Sequence, residues 1–303
     1  MSETSSYFDT HIDCFGYLKN IRDVPFGKGK NAGTFIACTI GGLQGQKDEP
    51  DYCTFQAKVT GRDAAKLIND SRDAVKRSKR GLLVKVRLSD PWIDQFTYPQ
   101  DHEKAGQPGA SLKTRLLFIK RINDSEIPSD LSIDINCFGY LNSIRDVPSG
   151  TGESADTFVA CSIAALQGPK EKPDYCYFQA KVTEPAALHL INRCRSAVKK
   201  KQKVLVGVHL SDPWIDQFTY PPDHKKAGQP GASLKTCLSL IRWIRVDGNR
   251  VYLRPKDTSP TQNQEAAPPN QSQVADLHKG EHSDLPAPEL PAPADAELAD
   301  KAA

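Results

Sequence analysis

Hydrophobic and polar positions along the chain change their period several times, and each change marks an element. Cys14 to Val24 reads as a strand. Pro25 to Gly33, rich in Gly and Lys, predicts a turn. Thr34-Phe35-Ile36-Ala37-Cys38-Thr39-Ile40 is a β-branched run and a second strand. Gly41 to Pro50 is polar and predicts a loop. Tyr52 to Val59 alternates, with Cys53, Phe55, Ala57 and Val59 on one side and Tyr52, Thr54, Gln56 and Lys58 on the other, as a half-buried strand requires. The period then lengthens. Ala64, Leu67, Ile68, Ser71 and Val75 mark one face of a helix from Arg62 to Lys79. Thr60 suits its N-cap and Asp63 its first turn, while Lys76, Arg77, Lys79 and Arg80 suit its C-terminus. Leu82 to Leu88 predicts a fourth strand, and Ala110 to Ile122 contains a fifth.

The same pattern then returns. Cys14-Phe15-Gly16-Tyr17-Leu18 recurs as Cys137-Phe138-Gly139-Tyr140-Leu141, and Phe55 to Thr60 recurs as Phe178 to Thr183, both at an offset of 123. After the helix the offset is 122: Ser89 to Pro99 recurs identically as Ser211 to Pro221, and Ala105 to Thr114 as Ala227 to Thr236. A unit this long, present twice, is a duplicated domain and not a solenoid. Thr183 again suits an N-cap, Pro185 the first turn, and Leu190, Ile191, Cys194 and Val198 the apolar face. The predicted order is β-β-β-α-β-β twice. That is an all-β class with one helix per repeat: tandem five-stranded OB-like barrels over residues 1–124 and 125–256. Closure would remove the free edges of so short a sheet. An SH3-like barrel or an open α+β sandwich is the alternative. Residues 257–303, dominated by Pro, Ala, Gln, Ser and acidic groups, predict a disordered acidic tail.

Charge changes the picture only when it is divided. The chain carries +3. Residues 257–303 hold nine acidic and two basic residues, hence −7, which leaves +10 on the remainder. No run reaches the ~20 apolar residues of a membrane helix, and the N-terminus has no secretory pattern, so a soluble cytoplasmic protein is expected. The eight cysteines show no Cys-x-x-Cys and no zinc-like spacing. Six fall in repeat-related pairs within strand-like segments, which predicts buried small hydrophobes in a reducing compartment.

Candidate chemistry concentrates between the fourth and fifth strands. Trp92, Phe96 and Tyr98 alternate with Ile93, Gln95 and Thr97, and Trp214, Phe218 and Tyr220 match them in the second repeat. If extended, the segment sets three aromatics on one face of a long loop that OB folds use for nucleic acid. Stacking on such rings contributes roughly 1–3 kcal/mol per base; packing at the barrel end or between repeats is the other use for them. Basic and aromatic residues interleave along the strand faces: Tyr17, Lys19, Tyr52, Lys58, Lys85, Arg87, Lys113 and Arg115 in the first repeat, and Tyr140, Arg145, Tyr175, Lys181 and Lys235 in the second. That is the composition a backbone-tracking groove needs; a solvated face accounts equally for any one lysine. The runs Lys76 to Arg80 and Lys199 to Lys203 suit either phosphate binding or a helix C-terminus. The loop Gly27 to Gly33 lacks the Gly-Lys-Ser/Thr ending of a phosphate loop and predicts a hairpin turn. Asp90, Asp94, Asp101 and His102, with Asp212, Asp216, Asp223 and His224, have no defined ligand spacing. No catalytic residue, metal or cofactor is therefore expected.

Gly16-Tyr17-Leu18, Phe35 to Cys38, Phe55 to Val59, Trp92 to Tyr98, Ser111 to Ile119 and the ending Arg242 to Gly248 together resemble a family of small proteins encoded on bacterial integrative and conjugative elements and described as their replication proteins. The resemblance covers each whole repeat; members carry one such domain where this chain has two. It implies a role in replication or maintenance of the element and supplies no catalytic residues. The strand order is also similar to that of bacterial single-stranded-DNA-binding proteins, although the chain ends Asp300-Lys301-Ala302-Ala303 without a terminal aromatic. The expected ligand is single-stranded DNA, with RNA as the alternative, and the implied partners are replication or transfer proteins of the element. The rival expectation is a protein-interaction module of such a complex.

Overall fold

The computed structural model describes residues 7–8, 10–28, 32–149 and 156–255. The predicted tail lies outside the described residues, as do the centre of the first hairpin loop and residues 150–155 of its counterpart.

Strands β1 (His11–Phe26), β2 (Gly33–Gln46) and β3 (Glu49–Val59) form a meander, α1 (Arg62–Arg77) follows, and β4 (Leu82–Thr97) and β5 (Pro108–Arg121) complete the first repeat. β1 pairs with both β2 and β4, β3 runs parallel to β5, and β5 pairs with β4. The ring β1-β2-β3-β5-β4 thus closes on itself as a five-stranded barrel with the OB strand order. The second repeat closes the same ring from β7 (Asp134–Ser149), β8 (Asp156–Gln167), β9 (Asp174–Val182), α2 (Pro185–Lys199), β10 (Val204–Thr219) and β11 (Pro230–Val246). Two short strands lie outside these rings, β6 (Asp130–Leu131) and β12 (Asn249–Leu253). No helix among the described residues is long and apolar enough to cross a membrane.

Alternation decides what fills each barrel. On β1, Ile12, Cys14, Gly16 and Leu18 turn inward, and on β3 Cys53, Phe55, Ala57 and Val59 do. Phe55 and Phe178 are wholly buried. All eight cysteines are free thiols and seven are buried. Burial pushes Cys38, Cys53, Cys137 and Cys161 up to about 12, so they stay protonated and inert at neutral pH. β1 carries a register irregularity between Lys19 and Arg22, where Asn20 takes φ +49°, and Gly16 lies in the stretch that pairs with both β2 and β4. A Cβ on Gly16 would stand 2.6 Å from the Gly41 carbonyl oxygen, and one on Gly139 would stand 2.1 Å from that of Ala164.

Several expectations need correcting. Gly41 to Pro50 is not a loop: β2 runs to Gln46, β3 starts at Glu49, and only Lys47 and Asp48 turn. Gly41 and Gly42 read as breakers, yet this stretch pairs with β1 on one side and β3 on the other. The fourth strand likewise does not stop at Leu88. It passes a bulge between Ser89 and Trp92, where Asp90 takes φ +46°, and continues to Thr97. The long loop shrinks to residues 98–107. Neither threonine caps its helix. The N-caps are Gly61 and Glu184, while Thr60 and Thr183 donate their hydroxyls to the Leu116 and Leu238 carbonyls. β12 has no equivalent in repeat 1. It forms through an Asp247-Gly248 turn whose residues both take positive φ, +47° and +83°.

The two barrels share one sheet. β1 pairs antiparallel with β7 through His11↔Asn136, Ile12↔Ile135 and Asp13↔Asp134. With the offset of 123, Ile12 corresponds to Ile135, and the two outer pairs exchange under the same correspondence. The junction is therefore a local two-fold between the repeats. Their leading segments obey it too. Phe8 donates its amide to the Gly168 carbonyl of the second barrel, and Lys47 of the first donates to the Ser129 carbonyl just ahead of β6. Residues 7–8 of the first repeat and 129–131 of the second thus each lie against the other barrel.

Candidate nucleic-acid interface

The outward residues of β1, β2, β3, β5 and β4 line up in rows across the strands. One row runs Lys19, Thr39, Gln56, Lys113, Trp92. The next contains Arg22, Ala37, Lys58 and Arg115. On the other flank Tyr17 sits opposite Gly41, which sits opposite Thr54, and Tyr52 lies beside Leu43. In repeat 2 the first row becomes Ser143, Ser162, Gln179, Lys235, Trp214 and the second Arg145, Ala160, Lys181, Cys237. The flanking row is Tyr140, Ala164, Tyr177, with Tyr175 beside Leu166. Thus Tyr17, Lys19, Tyr52, Lys58, Lys113 and Trp92 share one outer face, and Tyr140, Tyr175, Lys181, Lys235 and Trp214 share its counterpart.

Aromatic rings hold the cations of this face in place. Lys58 Nζ lies 4.8 Å above the Phe35 ring and Lys181 Nζ 4.8 Å above Phe158. Phe35 and Phe158 are half-buried on the same side as the lysines. The sequence places Phe35 in a strand but not in the site; only the β2–β3 register, which sets Ala37 opposite Lys58, brings the ring to the lysine. Phe26, exposed near the tip of the first hairpin and 6.1 Å from Phe35, was missed as well. Lys113 and Lys235 reach back to Asp94 and Asp216 at 2.5 and 2.9 Å, and Arg115 to Asp90 at 3.2 Å. Three of the carboxylates singled out in the sequence, Asp90, Asp94 and Asp216, are therefore partners of the basic face. Among the described residues no group of three or more His, Cys, Asp or Glu is placed to hold a metal.

Phe96 follows Trp92 on β4 and Tyr98 opens the loop after it, but the two are tied to each other. Their rings meet edge to face at 5.1 Å, and both would collide with a Cβ on Gly109. Tyr98 stacks on His102 at 4.4 Å. Phe218, Tyr220 and His224 repeat the arrangement at 5.1 and 4.3 Å. The tip of each β4–β5 hairpin is thus a preformed aromatic wedge beside the tryptophan. Trp92 and Trp214 are each 42% exposed, so neither closes a barrel.

Lys85 and Arg87 lie elsewhere. They sit on the part of β4 that pairs with the first half of β1, next to the junction. Lys85 lies 5.5 Å over Phe15, and Arg87 binds Asp13 at 2.8 Å. That contact also lifts the Arg87 guanidinium further above its usual range. Repeat 2 has Gly207 and His209 at these places.

A comparison with curated proteins found no match. Among solved structures, a chain of a replication protein A heterotrimer bound to single-stranded DNA is similar at 9% identity, over 69% of this chain. This chain spans about half of that one, 46%, and the TM-score of 0.17 carries no structural argument. The comparison with protein families is decisive, because one family description fits residues 1–129 and again residues 124–260. The chain therefore belongs to the DUF3577 family of proteins of unknown function, and carries its unit twice.

Proposed function

We propose that the protein binds single-stranded DNA without chemistry, on the outer face of each barrel and beside its β4–β5 hairpin. The observation that carries this reading is the row Lys19, Thr39, Gln56, Lys113, Trp92 on an OB-type face, rebuilt in repeat 2 around Gln179, Lys235 and Trp214. Flat exposed rings take unpaired bases, and ammonium groups fixed over phenylalanines take the phosphates between them. A duplex hides its bases from such rings. The setting we assign, replication or maintenance of an integrative conjugative element, rests on the sequence resemblance given above. Eight unpaired cysteines suit a reducing, cytoplasmic location.

Fluorescence anisotropy with labelled single- and double-stranded oligonucleotides of DNA and RNA tests the proposal. Single-stranded DNA binds most tightly, and its affinity falls as salt rises. Equal affinity for duplex, or no binding at low salt, overturns it. A second reading, a protein-interaction module of a replication or transfer complex, draws support from Phe118, Val251 and Leu253, which are 52–57% exposed away from the basic face. That module would show no salt-sensitive oligonucleotide binding.

A further inference from the structure

The two outer faces share a frame but differ in side chains, and the differences in charge run one way. Lys19 has Asn142 as its counterpart by offset and Ser143 at its place in the row, and Arg115 is replaced by Cys237. Arg22 is exposed, whereas its counterpart Arg145 is half-buried and donates to Gln179 Oε1 at 3.3 Å. Gln179 donates in turn to Ser162 Oγ at 3.2 Å. Neither Lys19 nor Arg22 has an ion-pair partner among the described residues. The lysine that binds an aspartate in barrel 1, Lys113, is matched by one that does so in barrel 2, Lys235. Barrel 1 therefore presents Lys19, Arg22 and Lys58, with Arg115 paired to Asp90, where barrel 2 retains Lys181 and a tethered Arg145.

Aromatic surface changes in the opposite sense. Thr54 is replaced by Tyr177, which lies across Ala164 from Tyr140. Tyr175 stands two residues along the same face of β9. All three rings are half-buried, while Tyr52, the counterpart of Tyr175, is 56% exposed. Burial first, and the neighbouring phenols next, hold the Tyr175 hydroxyl above its usual range, as expected of rings gathered in one cluster. Barrel 2 thus offers three half-buried tyrosines on this face where barrel 1 has Tyr17 and Tyr52.

We propose that the two barrels recognise different parts of a single strand: barrel 1 holds the sugar-phosphate backbone through Lys19, Arg22 and Lys58, and barrel 2 takes bases on Tyr140, Tyr175 and Tyr177. This rests on the single-stranded-DNA reading above. The two modes have separable signatures. Phosphate contacts release counterions and set the slope of log affinity against log salt. Stacking on a ring sets affinity at every salt concentration and leaves the slope alone.

The test titrates the full chain with labelled oligo(dT) over a range of sodium chloride concentrations. Lys19→Ala/Arg22→Ala flattens the slope by about 1.4, since each lost phosphate contact on a single strand removes ~0.7. Tyr140→Ala/Tyr177→Ala lowers affinity roughly tenfold or more at all salts with the slope unchanged, and Tyr140→Phe/Tyr177→Phe restores it. Ser143→Lys/Cys237→Arg, which places the two cations at the row positions of Lys19 and Arg115, steepens the slope, a gain that no loss of folding can mimic. Equal slope changes in the lysine–arginine and tyrosine variants, or an unchanged slope in Ser143→Lys/Cys237→Arg, overturn the proposal while leaving single-strand binding intact. A wild-type chain that binds no oligo(dT) at any salt overturns the function itself and this inference with it.

Discussion

Trp92 and Phe55 show how far one side chain's role follows from which way its strand turns it. Both are large, aromatic and placed on β-strands, yet Phe55 is wholly buried and Trp92 is 42% exposed. Phe55→Ala and Phe178→Ala should each destabilise the fold by about 3–5 kcal/mol, the usual effect of an aromatic cavity. Trp92→Ala and Trp214→Ala should leave the thermal midpoint nearly unchanged and weaken oligonucleotide binding by roughly 1–3 kcal/mol each. Calorimetry and anisotropy on the four variants separate the two behaviours; unfolding of the tryptophan variants would return those rings to the core. The inward set on β3 was legible because Tyr52 to Val59 alternates without interruption. Phe35 was not legible as a site residue, because its partner Lys58 is 23 residues away and only the β2–β3 register brings them together.

At the scale of the element, the meander, the helix and the last two strands were readable, but the strand lengths were not. Glycine and glutamine between Gly41 and Gln46 look like a loop when taken one at a time. They form strand because β3 offers them backbone partners on one side and β1, then β6, on the other, and that information lies in the partners. The same glycines serve a steric purpose, since β1 must approach β2 closely to reach β4 as well. Gly16→Ala and Gly139→Ala test this. Each pushes a methyl into a backbone carbonyl that cannot rotate away, at 2.6 and 2.1 Å, and overpacking of this kind typically costs about 1–3 kcal/mol. Urea midpoints should fall for both, and further for Gly139→Ala because the contact is closer and Ala164 and Ala165 replace Gly41 and Gly42. An unchanged midpoint would mean that β1 can straighten without losing β2.

For the whole molecule, duplication was plain in the sequence, but the joint between the copies was not, because nothing in His11-Ile12-Asp13 marks it as a strand shared by two barrels. Asp134 in that joint is held below the usual carboxylate range, chiefly by His209 at 3.2 Å, with Ser132 assisting and partial burial opposing. A carboxyl lowered in the folded state stabilises it above its unfolded value, ~3.9, and loses that contribution as pH falls through the folded one. The urea midpoints of wild type and Asp134→Asn should therefore differ near neutrality and converge below about pH 4; a constant gap would remove Asp134 from the acid response. The largest charge contrast lies between the body, at +10, and residues 257–303, at −7. A tethered segment competes intramolecularly, at an effective concentration on the order of millimolar, and its natural target is the cationic face of barrel 1. Deleting residues 257–303 should therefore raise affinity for single-stranded DNA at low salt. The gain should shrink as salt rises, because the Debye length falls from ~30 Å at 0.01 M to ~8 Å at 0.15 M. Lys19→Ala/Arg22→Ala should reduce it too, since those groups attract tail and DNA alike. If truncated and full-length chains bind equally in low salt, the segment does not compete for the face, and its charge serves solubility or a separate partner.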